Sequence, residues 1–473
     1  MEPGRSKALA LLWLLAALTL ASCAPAKQAI QSPVPLPESF SATGRAELPE
    51  KWWLSFADPA LDGFIERALA GNLSLKSTWD RLRQTEAIQR KAGAEHVPSL
   101  DAEASAFSSR SRQNGATGTG RDFGLGLVAG YEIDLWGRIR AGRNAAILDT
   151  RASAEDLRAA ALTLSAQVAG TWYQLVEQYG QLELLDRQVE TNRKVLELVT
   201  LRFRTGQTGI ADVLQQRQLV ESNIGERTQV ESRARVLENQ LSILVGIPPG
   251  QLQPPPVTDL IQLPSLPATG IPAALVQSRP DVRSAWYGVL SADQSTAVAV
   301  ADRFPRLSFA AGISTGGEHA DQLFDNWLAS LAANLAAPLV DGGLRKAEVD
   351  RSRAVTEERL HAYGQTVLEA LGEVEDALAR EARQHEYLLS LKRQLALAQS
   401  VIDRVRDHYL NGAENYQRVL DALLTYQQLQ RNYLNGQRVL IQYRIDLCRA
   451  LGGGWQLLPE DREPSPPDKA NAS

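Results

Sequence analysis

Phe123-Gly124-Leu125-Gly126-Leu127-Val128-Ala129-Gly130-Tyr131-Glu132-Ile133-Asp134-Leu135 sets apolar residues against glycines and acids at a period of two. Successive strand residues point to opposite faces, so this stretch makes one apolar face and one small or polar face. Trp327, Ala329, Leu331, Ala333, Leu335, Ala337 and Leu339 repeat the pattern against Ser330, Ala332, Asn334 and Ala336. Leu307, Phe309, Ala311 and Ile313 alternate with Ser308, Ala310, Gly312 and Ser314, and residues 100–107 show the weakest version. Each run is near the ~9–11 residues that a tilted membrane strand needs. Polar, Gly-rich stretches, Ser109 to Gly120 and Thr315 to Asp325, are expected to be the connecting loops. Two settings fit such strands: the wall of a transmembrane barrel, or a sheet in water packed on helices.

The strands come in two pairs because the chain repeats itself. Trp79 matches Trp286, Pro98 matches Pro305 and Leu100 matches Leu307 at a spacing of 207, whereas Gly206 matches Gly412, Val213 matches Val419 and Leu214 matches Leu420 at 206. A repeat of this size is two fused copies of one unit with a single slip. Residues 99–247 and 339–458 contain no proline, which permits long helices, since proline costs roughly 3 kcal/mol in a helix interior. Val168, Leu175, Leu182, Val189, Leu196 and Phe203 recur every seven residues, the coiled-coil spacing. One helix over 138–205 would reach on the order of 100 Å at 1.5 Å per residue. Gly206 and Gly412 end the long helices as left-handed caps, and second helices over 213–245 and 419–451 complete two long hairpins.

The chain has 473 residues and a formal net charge of -5, so nucleic acid is not implied as a partner. One Met and few aromatics argue against a large globular core, and two cysteines, Cys23 and Cys448, provide no disulfide framework. Cys448 reads as a small apolar filler in a helix. Arg5 and Lys7 precede an apolar run, Ala8 to Ala21, that ends in Leu20-Ala21-Ser22-Cys23. This resembles a bacterial lipoprotein signal, with a lipid attached to Cys23; an ordinary signal peptide with a chance cysteine is the other reading. Ala24 follows, not the Asp that marks inner-membrane retention, so the resemblance implies the outer membrane. No later segment has 18 apolar residues in a row, so any further crossing must be by strands. The expected division is a signal peptide over 1–22, an extended tether over 23–50, repeat 1 over 51–246, a Pro-rich linker over 247–272, repeat 2 over 273–455, and a disordered polar tail over 456–473. Each repeat holds a short helix, two strands and a long helical hairpin.

Four strands cannot close a barrel, and an open edge in lipid leaves backbone groups unpaired at several kcal/mol each. A membrane setting therefore demands several copies of the chain. Several stretches resemble the TolC family of outer-membrane efflux proteins, in its lipoprotein branch. They are Leu275-Val276-Gln277-Ser278-Arg279-Pro280-Asp281-Val282, Phe304-Pro305-Arg306-Leu307, Glu132-Ile133-Asp134-Leu135-Trp136-Gly137-Arg138, Pro338-Leu339-Val340-Asp341-Gly342-Gly343 and Val419-Leu420-Asp421-Ala422. The resemblance spans about Trp52 to Trp455. It implies a mainly α chain with a transmembrane β-barrel. Four strands from each chain of a homotrimer would make a twelve-stranded barrel, and the helices an α-barrel through the periplasm.

It also implies a Gram-negative exit duct for drugs or other small molecules, with no catalysis and no cofactor beyond the lipid on Cys23. Its partners would be a periplasmic adaptor, an inner-membrane transporter of RND type, and outer-membrane lipid. The periplasmic gate would involve Asp421, Tyr409 and, more weakly supported, Asp212. Arg418 stands where the family has a second acid, which puts a double acidic ring in doubt. Gly206, Gly209, Gly412 and Asn415 would form the adaptor-docking tips. Plainer readings stand beside these: Asp421 favouring a helix dipole, Tyr409 filling a seam, and the glycines serving turn chemistry. A protein-secretion duct and a lipid-tethered periplasmic coiled-coil scaffold are the alternative functions. There is no Walker loop, HExxH or Gly-x-Ser-x-Gly, and His96, His319, His361, His385 and His408 show no ligand spacing.

Overall fold

A computed structural model describes residues 32–114 and 116–452. Four antiparallel strands, β1 (Ser99–Gln113), β2 (Ala116–Ile133), β3 (Arg306–Gly317) and β4 (Trp327–Ala336), form one sheet in sequence order. The alternation registers across all four. Leu100 faces Ala129, Ala129 faces Ala311 and Ala311 faces Leu331, while Asp101, Val128, Gly312 and Ser330 make a row of the opposite face. Trp327, Leu331 and Leu335 are exposed in the single chain. Among the described residues β1 pairs only with β2 and β4 only with β3, so both outer edges are open.

Two expectations about the strands need correction. Most of the polar stretch from Ser109 to Gly120 is strand: Gln113 pairs with Ala116 around a turn at Asn114, whose φ is 50°. A ladder is held by backbone hydrogen bonds, so Ser, Thr and Gly extend it as well as apolar residues do. The first hairpin therefore outruns the second, and residues 116–122 of β2 pair with β1 alone. Likewise Thr315 to Gly317 belong to β3. β4 stops at Ala336 and not at Leu339, because Pro338 has no N–H to give to a ladder.

The hairpin helices repeat in length from one unit to the other. α1 (Pro59–Gly71) and α2 (Leu73–Ala94) precede the first hairpin of strands, and α3 (Arg138–Arg204) and α4 (Ile210–Leu244) follow it. α5 (Pro272–Ser278), α6 (Pro280–Ala301), α7 (Leu344–Leu410) and α8 (Tyr416–Ala450) form the second set. α3 and α7 each have 67 residues, and α4 and α8 each have 35. Capping carboxylates turn strand into helix in both repeats. Asp134 accepts from the N–H groups of Ile139 and Arg140 (3.1 and 2.9 Å), and Asp341 from those of Gly343 and Arg345 (3.0 and 3.3 Å). Gly137 and Gly343 precede the helices at φ of 76° and 88°, where a Cβ would be strained. The Trp136 indole donates to the Pro305 carbonyl (2.7 Å) and stacks on Phe304 at 4.8 Å, tying the two strand–helix junctions together.

The largest core lies where Trp52, Trp53 and Phe56 wedge against α1 and the middle of α3, among Leu61, Ile65, Trp172 and Ile445. The Trp52 indole donates to Ser165 (3.0 Å) and that of Trp172 to Asp58 (2.8 Å), so these two indoles are buried with their donors satisfied. Buried arginines hold the second repeat. Arg279 donates to the carbonyl of Ala450 at 3.1 Å, to that of Ala370 at 3.4 Å, and to Asp281 and Glu373. It thus fixes the end of α8 against α7, which gives the 275–282 motif its physical reason. Arg444 pairs with Glu381 and donates to the carbonyls of Pro264 and Ser265 (2.9 and 3.2 Å), pinning the Pro-rich linker. The linker is also bridged to the extended N-terminal segment, where Gly44 N–H donates to Pro267 O (3.0 Å) and Phe40 is buried beside Leu275 and Val374.

Candidate functional site

The two hairpin tips are built to one plan. After α3, Gly206 adopts φ 73°, and the N–H groups of Gly206 and Gln207 donate to the carbonyls of Phe203 (3.0 Å) and Arg202 (2.8 Å). After α7, Gly412 also has φ 73°, and Gly412 and Ala413 donate to Tyr409 (3.1 Å) and His408 (2.9 Å). Both glycines sit in open space, where nothing but backbone conformation requires them. A side-chain pair bridges the same two positions at the start of the following helix in each repeat. The Thr208 hydroxyl donates to the Asp212 carboxylate, and at the matching positions Arg418 pairs with Glu414 (2.8 Å). Gly209 starts α4 with no side-chain cap, whereas Asn415 accepts from Arg418 N–H (3.1 Å) at the start of α8.

This geometry sorts the expected gate residues. Asp212 lies in the first turn of α4 and is engaged in closing its own turn. Asp421 is exposed on α8 beyond the first turn, where the helix dipole has faded. Its contact is the Gln417 amide at 2.9 Å, and Gln428 to Asn432 continues a polar ladder along the same helix. A charge that no cap or dipole explains, on a polar stripe near a tip, is available to a solute or an ion. Tyr409 is buried; its ring lies 5.7 Å from that of Tyr416 and receives the Arg202 guanidinium at 4.5 Å. Its hydroxyl has no hydrogen-bond partner among the described residues. Within one chain Tyr409 is therefore a seam residue whose polar end is left over. Tyr416 donates to Gln216, and burial, then Tyr409 and Asp212 nearby, push its titration upward and keep it a neutral donor.

A set of buried amides went unread in the sequence. Gln427 accepts from the side-chain amides of Asn192 and Asn223 (3.3 Å each) and donates to Asn192 Oδ1 (3.0 Å). Gln188 donates to Gln430 (3.0 Å) and accepts from Arg431 (2.7 Å), and Gln216 donates to the Asn192 carbonyl (2.7 Å). These groups bolt α8 onto the α3–α4 hairpin just behind the tips. Their trace is a second heptad: Gln181 and Gln188, then Gln216 and Asn223, are each seven residues apart. Cys23 lies outside the described residues.

The family model described as "Outer membrane efflux protein" matches residues 64–246 and 271–453. The pyoverdine export outer membrane protein OpmQ of Pseudomonas aeruginosa is 31% identical over 455 residues, covering 93% of this chain and 96% of that one. The cation efflux system protein CusC of Escherichia coli strain K12 is 27% identical, covering 93% of this chain and 97% of its own. Among solved structures, the outer-membrane channel OprN superposes with a TM-score of 0.85 at 24% identity, over 90% of this chain and 99% of that one. A CusC structure does so with a TM-score of 0.80 at 25% identity, over 91% and 100%.

Proposed function

The chain belongs to the outer membrane efflux protein family, and from that premise we propose how it performs the family's task. Such a protein is an outer-membrane channel, the exit duct that receives solutes from a periplasmic adaptor and an inner-membrane pump; it is not an enzyme and uses no cofactor. With that assignment the coiled-coil scaffold falls away. The proposal concerns assembly, anchoring and the gate. Three copies close a barrel by laying the free edge of β4 on the free edge of β1 in the next copy. The observation that carries this is the single sheet with one continuous apolar face and two open edges, since lipid tolerates strands only when no edge remains.

The lumen face supports bulk passage. It is mostly Gly, Ser and Ala, with Asp101, Glu103, Asp122, Glu132 and Arg306 as charges, so selection falls to the inner-membrane partner, for which we favour an RND-type transporter. Relatives named for pyoverdine, cation and solvent efflux frame the substrate as drugs or other small molecules. The lipid on Cys23 would hold the N-terminal segment to the outer membrane. Asp421, presented once per copy, would make an acidic ring at the periplasmic end, with Tyr409 and Asp212 shaping the tip behind it. Gly206, Gly209, Gly412 and Asn415 would let an adaptor hairpin approach closely. Purified protein should run as a trimer in detergent and conduct in planar bilayers; a monomer without conductance refutes the assembly. Comparing drug tolerance with secreted proteins after gene deletion separates efflux from secretion.

A further inference from the structure

The seam between copies at the hairpin tips can be written out from the seam inside one chain. This inference rests on the ring assembly proposed above. Inside the chain, three side chains of the second hairpin, Tyr409, Tyr416 and Leu420, are buried against the first hairpin, beside Val199, Val213 and Leu219. Their matches 206 positions earlier are Phe203, Ile210 and Leu214. Those three are 40%, 52% and 54% exposed, so the same knobs have no hole within their own chain. The hole has its own match: Val199, Val213, Gln216 and Leu219 of the first hairpin correspond to Val405, Val419, Ala422 and Thr425 of the second. Val405, Val419 and Ala422 are small or apolar and half-exposed, Thr425 is exposed, and Val419 touches the inner seam with only part of its surface. In a ring where repeat 1 meets repeat 2 and repeat 2 meets repeat 1 of the next copy, the unfilled knobs and the unfilled hole face one another.

We infer that Phe203, Ile210 and Leu214 of each copy seat on Val405, Val419 and Ala422 of its neighbour. The equal lengths of α3 and α7 and of α4 and α8 put these residues at one height in both hairpins. The chemistry differs from that of the inner seam in a definite way. The Tyr416–Gln216 hydrogen bond is replaced by Ile210 on Ala422, and Arg202 over the Tyr409 ring by His408 over Phe203. The amides Asn192 and Asn223 have Ala398 and Leu429 as their matches. The amide bolt is thus absent from the seam between copies, and three hydrogen-bonded seams alternate with three apolar ones around the tip.

The test is thiol crosslinking in the trimer. One chain type carries Ile210→Cys, a second carries Ala422→Cys, and both are co-expressed and treated with a short bismaleimide. Covalent dimers between the two types, absent when either is present alone, are expected; the chain with both substitutions should give covalent trimers. Gln216→Cys with Tyr416→Cys in one chain is the in-chain control, read as an internal link by mass spectrometry. If light scattering finds a trimer and the in-chain control links, but the cross-copy pair does not, the seam is wrong while the duct stands. If no trimer forms, the ring and the seam fall together. A second arm moves the inner chemistry outward: Ile210→Tyr with Ala422→Gln should lower the open fraction of single channels by more than the two single substitutions combined. Additive effects would count against contact between these residues.

Discussion

Gln427→Leu should loosen the tip far more than its conservative shape suggests. Leucine fills about the same space, so the change is in hydrogen bonding. Two amide N–H donors, on Asn192 and Asn223, and one acceptor, Asn192 Oδ1, lose their partners. All three residues are buried, at 0% exposure for Asn192, 3% for Gln427 and 5% for Asn223. An orphaned buried group costs about 1–3 kcal/mol, so three of them cost roughly 3–9 kcal/mol at each inner seam. Amide hydrogen exchange over residues 416–430 in detergent reads this as local opening. With every 1.4 kcal/mol worth a factor of ten, exchange should quicken about a hundredfold or more. The triple variant Asn192→Leu, Asn223→Leu, Gln427→Leu removes partners together and should recover most of the protection, because replacing a whole polar set with apolar groups of like shape is close to neutral. A single variant that exchanges like the parent, or a triple variant more labile than the single, would refute the assignment of this set as a bolt.

Asp421→Ala should raise single-channel conductance or cellular sensitivity to large antibiotics; no change in either would remove Asp421 from the gate. Cys448 is buried, and burial pushes its thiol far up from the usual range, to about 12. Maleimide at neutral pH should therefore leave it unmodified in the folded protein and label it after denaturation, and labelling of the native trimer would contradict the packing of α8. Arg279→Ala takes the donor from the buried Ala370 and Ala450 carbonyls and leaves Glu373 to Arg449 alone; at about 1–3 kcal/mol per orphaned buried group it should cost about 2–6 kcal/mol, seen as a lowered thermal midpoint. Arg279→Lys should not restore it, since one ammonium cannot reproduce the guanidinium fork.

The sequence showed most clearly those elements whose side chains carry a period. The alternation through Tyr131 and Ile133, the heptad through Val168 and Leu175, and the glycines at 206 and 412 all appear where the pattern placed them. What it concealed was polar structure inside regular elements. Residues 109–113 look like a loop because serine and arginine say nothing about backbone pairing, yet they are ladder residues of β1. Gln188, Asn192 and Gln427 look like surface because an amide is polar wherever it lies, and only partners distant in the chain decide that it is buried. The motif arginine at 279 was legible as a marker but not as a clamp, since its carbonyl partners stand 91 and 171 residues away. Asp212 and Asp421 are the instructive pair. Both are acids near a tip, but Asp212 lies in the first turn and takes the Thr208 hydroxyl, whereas Asp421 lies beyond the first turn and, among the described residues, holds only the Gln417 amide.

The excess length of the first strand hairpin has a consequence for the cell surface. Beyond Phe123, which faces the last residue of β3, seven residues of β2 and their partners in β1 continue without a neighbour. At ~3.3 Å per residue they form a mast about 23 Å tall. Its two unpaired rims carry Arg110, Arg112 and Arg121 beside serines and glycines, a composition that discourages pairing with foreign strands. Three such masts would stand clear of the bilayer, the first parts of the duct that an antibody or a phage encounters. A peptide tag inserted at the Asn114 turn would be displayed there without disturbing a barrel ladder, and sequence drift at the mast would cost the conduit nothing.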